Sequence, residues 1–322
     1  MSYLVGIDGG GTKTAFLLYS LADGSVTKTE TNSICPRDHG ISVFKKTIAA
    51  ALSGLTAESP AQIDAICVGV PCRGEDKETD VATSEAMSQL FPGSRIICVN
   101  DCVVGYAGAL ALQPGINIVS GTGAIAYGEN GLGLSARSSG WSGEFADEGS
   151  CSWLGRKCLE LFCKQADNRL PKAALYELVR QELALKDDYD IIKTYDSRLK
   201  NSRRELAALQ KLLYRAALAG DSSAKAAYSH AADELAQSIE AVRRIIGLSG
   251  EAPVSYAGGL FKTGELILSP LKARLECLHS GYTLNKPEFF PEEGALLMAA
   301  RAAGLNMDTI KKNLRGMDRK HD

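Results

Sequence analysis

A chain of 322 residues is about twice the ~150-residue length of a single domain, so two domains with a cleft between them are expected. Hydrophobic residues at 45%, charged residues at 23% and a formal net charge of −2 describe an ordinary globular protein and exclude disorder, collagen and coiled coil. That charge leaves no electrostatic footprint for nucleic acid or an anionic membrane, which points to a small-molecule partner.

In chain order, Tyr3–Ile7 reads as an apolar strand leading into Asp8-Gly-Gly-Gly-Thr12-Lys-Thr14, a second strand Ala15–Tyr19 and an Asp23-Gly24 turn. The spacing of Ile41, Phe44, Ile48, Leu52 and Leu55 predicts a helix over Gly40–Leu55, followed by a buried strand Ile63–Val70 and a helix Glu78–Phe91. Strand Arg95–Val99 ends in Asn100-Asp101 before a small-residue helix through Leu112, and Gln113-Pro114-Gly115 marks a domain boundary. More than a hundred residues after the first copy, the opening pattern returns. Ile116–Val119 leads into Ser120-Gly-Thr-Gly123, then Ala124–Tyr127, then an Asn130-Gly131 turn, which suggests two related domains. Helical periodicity dominates thereafter, over Glu148–Gln165, Ala173–Leu185 and a long run Ser202–Ile246. A late strand Pro253–Ala257 precedes Gly258-Gly259 and another helix, Glu292–Ala303 forms the last apolar helix, and the tail KKNLRGMDRKHD reads as a solvated end.

The N-terminus lacks the basic and apolar regions of a signal peptide, and the longest uncharged stretch, Cys102–Gly128, is broken by turn residues, so a cytoplasmic protein without a membrane span is expected. Nine cysteines without a Cys-x-x-Cys pair read as reduced, mostly buried thiols rather than metal ligands. The four histidines, at 39, 230, 279 and 321, show no metal spacing, and Trp153 reads as a core residue.

The 32 glycines are clustered, and clustered glycine suits backbone that must approach a ligand closely. Gly6–Lys13 lacks the Gly-Lys-Ser/Thr order and following helix of a Walker A loop. Gly121, Gly123 and Ala126 fit a dinucleotide fingerprint, yet a short strand follows them instead of a helix. The three motifs Asp8–Thr14, Ser120–Gly123 and Ala257-Gly-Gly259 instead resemble the phosphate-gripping hairpins of the sugar kinase, Hsp70 and actin superfamily. Converging glycine amides and a neighbouring hydroxyl are suited to phosphate oxygens.

Within that superfamily the chain is similar to the N-acetylglucosamine kinase family, among the BadF/BadG/BcrA/BcrD-type ATPases, most sharply at Asn100-Asp101, Gly140-Trp141 and Asp147-Glu-Gly-Ser150. Ser139-Gly-Trp-Ser142 and Ala146 depart from the glycines common there. The resemblance implies an α/β fold of two ribonuclease-H-like domains, 1–114 with a C-terminal helix at about 295–322, and 115–294 enlarged by helices. It further implies a cytoplasmic homodimer transferring the ATP γ-phosphate to the 6-hydroxyl of N-acetylglucosamine, with closure of the cleft on ligand. N-acetylmuramic acid and glucosamine are the alternative substrates. An ATPase activator of a 2-hydroxyacyl-CoA dehydratase, which carries an iron–sulfur cluster, and a sugar-sensing regulator, which needs a DNA-binding module, are the alternative functions.

The roles that the resemblance implies are these. Asp101 is the general base, with capping of the following helix as its alternative role. Asp8 holds Mg²⁺ through waters. Gly9, Gly10, Gly11, Thr12, Lys13, Gly121, Thr122 and Gly123 line the phosphates, Lys13 being solvated if it does not, and Gly258 and Gly259 admit the adenosine. Asn32, Asp101, Gly140, Trp141 and Asp147 meet the sugar, with Trp141 either an apolar wall or core. If its loop faces the sugar, Arg37 offers a fork for the lactyl carboxylate of N-acetylmuramic acid; otherwise it is an exposed surface arginine.

Overall fold

The computed structural model describes residues 2–55 and 62–316, which form two compact units, Met1–Gln113 with Pro287–Asp322, and Pro114–Lys286. The first unit carries strands β1 (Ser2–Gly9), β2 (Lys13–Ser20), β3 (Val26–Asn32), β4 (Gln62–Val70) and β5 (Arg95–Asn100) and helices α1 (Pro36–His39), α2 (Ile41–Leu55), α3 (Lys77–Leu90) and α4 (Asp101–Ala109). Its sheet runs β3-β2-β1-β4-β5, with the first three strands antiparallel and β4 and β5 parallel to β1.

In the second unit, strands β6 (Gly115–Ser120), β7 (Ala124–Glu129), β8 (Ser135–Ser139), β9 (Ala252–Ala257) and β10 (Tyr282–Asn285) take the order β8-β7-β6-β9-β10 with the same senses. The repeated sequence pattern is therefore a repeated fold. Helices α5 (Cys151–Ala166), α6 (Ala174–Glu182), α7 (Asp190–Thr194), α8 (Arg203–Ala208), α9 (Gln210–Leu218), α10 (Ser222–Ile246) and α11 (Glu265–Leu278) enlarge this copy. The chain then returns to the first unit with α12 (Pro291–Ala302) and α13 (Met307–Arg315).

Strand β1 is apolar at successive positions because both faces of its sheet are covered. Leu4, Leu17, Ala65 and Cys67 pack on Val104 and Ala107 of α4 and on Leu296 and Ala300 of α12. Val5, Ile7, Phe16 and Val68 pack on Phe44 and Ile48 of α2 and Met87 of α3. In the second unit Ile116, Ile118 and Ala126 meet Leu154 and Phe162 of α5 and Leu235 and Ile239 of α10.

Three expectations are corrected. The run Ser202–Ile246 is three helices, because Gly220 takes φ 94° and the Asp221 side chain accepts the Ser223 and Ala224 amides, starting α10 afresh. Strands β3 and β8 complete the hairpins that the Asp23-Gly24 and Asn130-Gly131 turns signal, although, like β10, these edge strands lack apolar alternation, since water covers much of them. The first unit resumes at Pro287 rather than near 295, where Glu288 N–H and Phe289 N–H donate to Ala109 O and Gly108 O, both at 3.1 Å. The tail Lys311–Asp322, expected to be solvated, is solvated only in part: Lys311–Arg315 continue α13, whose Leu314 is buried in the core and whose Asn313 Nδ2 donates to Tyr19 OH at 2.7 Å, while Met317 onward, with His321, lies outside the described residues. Among the described residues no helix is long and apolar enough to cross a membrane.

Helix α12 lies backbone to backbone on its neighbours. A Cβ at Gly294 would fall inside Gly108 N and Val104 O, and one at Gly6 would stand 2.5 Å from Leu296 N. Gly294→Ala should lower the stability by about 1–3 kcal/mol despite better helix propensity, because backbone cannot give way cheaply. The control Gly54→Ala, in α2 with nothing within 4 Å among the described residues, should gain about 0.4–1 kcal/mol. Urea midpoints for both variants check this; a Gly294→Ala midpoint at or above wild type would refute the packing argument.

Candidate active site

In the first unit, Asp8 ends β1 and the turn after it is closed by Gly10 N–H donating to Lys13 O at 2.9 Å. Gly11, Thr12 and Lys13 are exposed at its tip, and Lys13 pairs with Glu30 at 2.8 Å. The segment after β3 is bound to this turn: the Ser33 hydroxyl donates to Gly10 O at 2.8 Å, and Ile34 N–H to the buried Thr14 Oγ1 at 3.2 Å. Asn32 is exposed and faces Lys13 in the β2–β3 register. The expected sugar asparagine and the expected phosphate turn are thus neighbours.

Asp101 opens α4 directly after β5. The capping role falls to Asn100, whose Oδ1 accepts the Cys102 amide at 3.1 Å and whose Nδ2 donates to Arg73 O at 2.8 Å. Asp101 Oδ1 also accepts the Cys102 amide, at 2.9 Å, so its carboxylate sits in the first helical turn, where the helix dipole favours negative charge. In register, Asp8 faces Gly69, and a Cβ on Gly69 would stand 3.2 Å from Asp101 Cα.

Burial, then repulsion from Asp101 and Glu292, pushes the Asp8 carboxyl up to about 7 against the pull of Lys13 and Lys28. Glu292, at the start of α12, is buried and pairs with Lys28 at 2.6 Å. Neither Glu292 nor Lys28 had a sequence signal, being far from Asp8 along the chain and outside any motif. A carboxylate pushed up by burial and by neighbouring anions fits a divalent cation nearby, and Mg²⁺ retaining much of its water suits a single carboxylate.

In the second unit, Gly121 N–H donates to Gly123 O at 2.9 Å, and the first turn of α5 binds the same turn through Cys151 N–H to Gly121 O at 2.8 Å and Ser152 N–H to Thr122 O at 3.4 Å. Ser120 Oγ donates to Gly149 O at 2.9 Å, and Ser150 caps α5 by accepting Trp153 N–H. The glycine turn and the Asp147–Ser150 motif therefore form one assembly. Asp147 has φ 59° and is 2% exposed; Arg203 Nη2 donates to its Oδ2 at 2.6 Å, while its Oδ1 has no partner among the described residues. A Cβ on Gly123 would stand 2.8 Å from that Oδ2. Burial raises the Asp147 carboxyl, Arg203 and Arg156 lower it, and Glu148 raises it again. Arg156 donates to Gly143 O and, at 3.2 Å, to Ala146 O.

Sequence reasoning missed both arginines. Arg203 lies in a helix with no motif, whereas the Ser150 cap could have set Arg156 two turns into α5, on the side of the loop. Gly140 takes φ 71° beside Ile125, and Trp141 is 76% exposed, which removes the core reading for that tryptophan. Trp153 is buried, edge-on to His230. Gly258 is demanded by packing, since a Cβ there would stand 2.6 Å from Ser120 C, while Gly259 opens on free space. Arg37 is exposed and already paired with Glu75 at 2.9 Å. None of the nine cysteines forms a disulfide, and no metal-binding group of three or more His, Cys, Asp or Glu is found among the described residues.

Residues 5–299 match the BadF/BadG/BcrA/BcrD ATPase family. The chain belongs to this family. Among its relatives, the N-acetylmuramic acid/N-acetylglucosamine kinase of Clostridium acetobutylicum is 34% identical over 266 residues, covering 81% of this chain and 86% of that one. The N-acetyl-D-glucosamine kinase of Dictyostelium discoideum is 26% identical over 92% of this chain and 97% of its own. A Chromobacterium violaceum structure assigned as an N-acetylglucosamine kinase superposes with TM-score 0.71 at 26% identity, covering 92% and 98% of the two chains. A ROK-family glucokinase from Streptomyces griseus, solved with glucose and AMPPNP, shares the fold at TM-score 0.54 and 16% identity, over 93% and 98% of the chains. The two-domain actin-like α/β fold expected of the sequence is thereby established.

The raised Asp8 carboxyl has a stability signature. The unfolded carboxyl loses its proton near 3.8 and the folded one near 7, so the folded state binds more protons in between and wild-type stability falls as pH rises from about 4 to 7. Asp8→Asn removes that loss. At pH 8 without divalent cation it should be the more stable protein, by up to about 4 kcal/mol at 1.36 kcal/mol per pH unit, and should match wild type near pH 4. Parallel stability–pH curves would contradict this.

Proposed function

We propose that this family member is an ATP-dependent amino-sugar kinase that transfers the γ-phosphate of ATP to the 6-hydroxyl of N-acetylglucosamine. The observation that carries the reading is the pair of equivalent glycine–threonine turns on two sheets of identical order, in a chain 34% identical to a named amino-sugar kinase. A transfer enzyme of this kind works chiefly by positioning and charge stabilisation.

The sugar oxygen attacks the γ-phosphorus, the bond from phosphorus to the β–γ bridging oxygen breaks, and the displaced electron pair leaves on ADP. Asp101 orients the hydroxyl and accepts its proton, from its place at the first turn of α4 beside the capping Asn100. Amides and hydroxyls of Gly9–Thr12 and Gly121–Gly123 hold phosphate oxygens, with Lys13 at the rim. Asp8 would hold Mg²⁺ through water, and the bound ion supplies charge neutralisation on the phosphates. Asn32 and Asp147 offer hydrogen bonds to sugar hydroxyls, Gly140 allows backbone approach and the exposed Trp141 provides an apolar wall. Gly259, opening on free space, leaves room for the adenosine, beside Gly258.

N-acetylmuramic acid is the second reading for the substrate, favoured by the name of the Clostridium relative. A coupled assay across N-acetylglucosamine, N-acetylmuramic acid, glucosamine, N-acetylmannosamine and glucose decides between them. A pocket that hydrogen-bonds an acetamido group leaves polar groups unpaired with an analogue lacking it, so glucosamine and glucose should be poor substrates. Best activity on either would overturn the assignment. Asp101→Asn should lower kcat by about 10²–10⁴ while sparing sugar and nucleotide affinity, and turnover within threefold of wild type would remove Asp101 as the base. Anaerobically purified protein should be colourless; brown protein containing iron would favour the activator reading instead.

A further inference from the structure

Arg203 opens α8, which is seated on α5 where Gly155 leaves space for Leu206 O. Its guanidinium lies over Gly143, where a Cβ would stand 2.5 Å from Nε, and reaches the second glycine turn, where a Cβ on Gly123 would stand 3.3 Å from Nη2. Two glycines thus make the room this side chain occupies. Nη2 is held by the buried Asp147, yet the side chain is 55% exposed, and Nε and Nη1 meet no acceptor among the described residues. Arg156, the other cation facing Asp147, donates from Nη1 to Gly143 O and from Nη2 to Ala146 O, and Glu148 is the remaining charged neighbour. Burying a carboxylate to hold a half-exposed arginine is a poor way to gain stability, because desolvation of the anion offsets the attraction. It is an effective way to aim a planar fork of donors.

We propose that Arg203, anchored by Asp147, contacts the γ-phosphate of bound ATP and stabilises the charge on the transferred phosphoryl group. This rests on the kinase reading above. An arginine so aimed matches phosphate oxygens bidentately, and an arginine supplied to a transferring phosphoryl group is worth about 10³–10⁵ in rate where it has been measured. Its place beside Gly123 sets it next to the expected phosphates rather than the adenosine.

The test compares Arg203→Met and Arg203→Lys with wild type by calorimetric binding of AMPPNP and of ADP, each with Mg²⁺, alongside kcat and KM on N-acetylglucosamine. Arg203→Met should weaken AMPPNP at least tenfold, leave ADP within twofold, and lower kcat by about a hundredfold or more. Arg203→Lys should fall between, since a point charge cannot replace the fork. Equal weakening of both nucleotides, or a raised sugar KM with unchanged nucleotide binding, would overturn the proposal and leave Arg203 as a support for Asp147. Should Arg203→Met misfold around the unpaired Asp147 carboxylate, Arg203→Met with Asp147→Asn removes that charge, and the same AMPPNP-to-ADP comparison decides. Absence of turnover by wild type on every sugar would sink the kinase reading, whereas the binding comparison judges Arg203 independently of turnover.

Discussion

The first unit depends on the seat of α12 against β1 and α4, made by glycines where any side chain would strike backbone. Through Gly6, Gly108 and Gly294 a segment near the end of the described chain becomes one layer of a sheet built from its beginning. Seating this helix also carries the buried Glu292 into the electrostatic neighbourhood of Asp8 and Asp101. Negative charge accumulates because the fold holds these carboxylates near the same strand ends, and Lys28 offsets only part of it. A site whose burial and crowded anions raise a carboxyl towards neutrality suits the proposed handling of phosphate with a divalent cation.

The second unit answers the same topology with different chemistry. Its glycine turn is bound by the N-terminus of α5 and abuts Asp147, whose buried carboxylate is matched by Arg203 rather than stacked against other anions. One copy of the fold thus presents excess negative charge and the other an anchored cation, and the helical insertion is what brings the cation there. The left-handed backbone at Asp147, uncommon for a non-glycine residue, marks a position held by surrounding contacts rather than by local preference.

By itself the sequence determined the two glycine–threonine hairpins, their duplication and the placing of Asp101 at a strand end before a helix. Each of these is a local signal: apolar runs bounded by turn residues, and a carboxylate beside a capping asparagine. The apolar stripes of α2, α5 and α10 were equally legible, because burial imposes its own period. Tertiary structure alone decided the edge strand β10 and the extent of β3 and β8, whose hairpin turns were legible but whose wet faces carry no apolar period. It also decided the break of the Ser202–Ile246 run, the return of the chain at Pro287, the exposure of Trp141, and the pairings Lys28–Glu292 and Asp147–Arg203. These last join residues distant in the chain, and the physical reason they escaped is simple: an ion pair needs only proximity in space, which helix and strand periodicity do not encode.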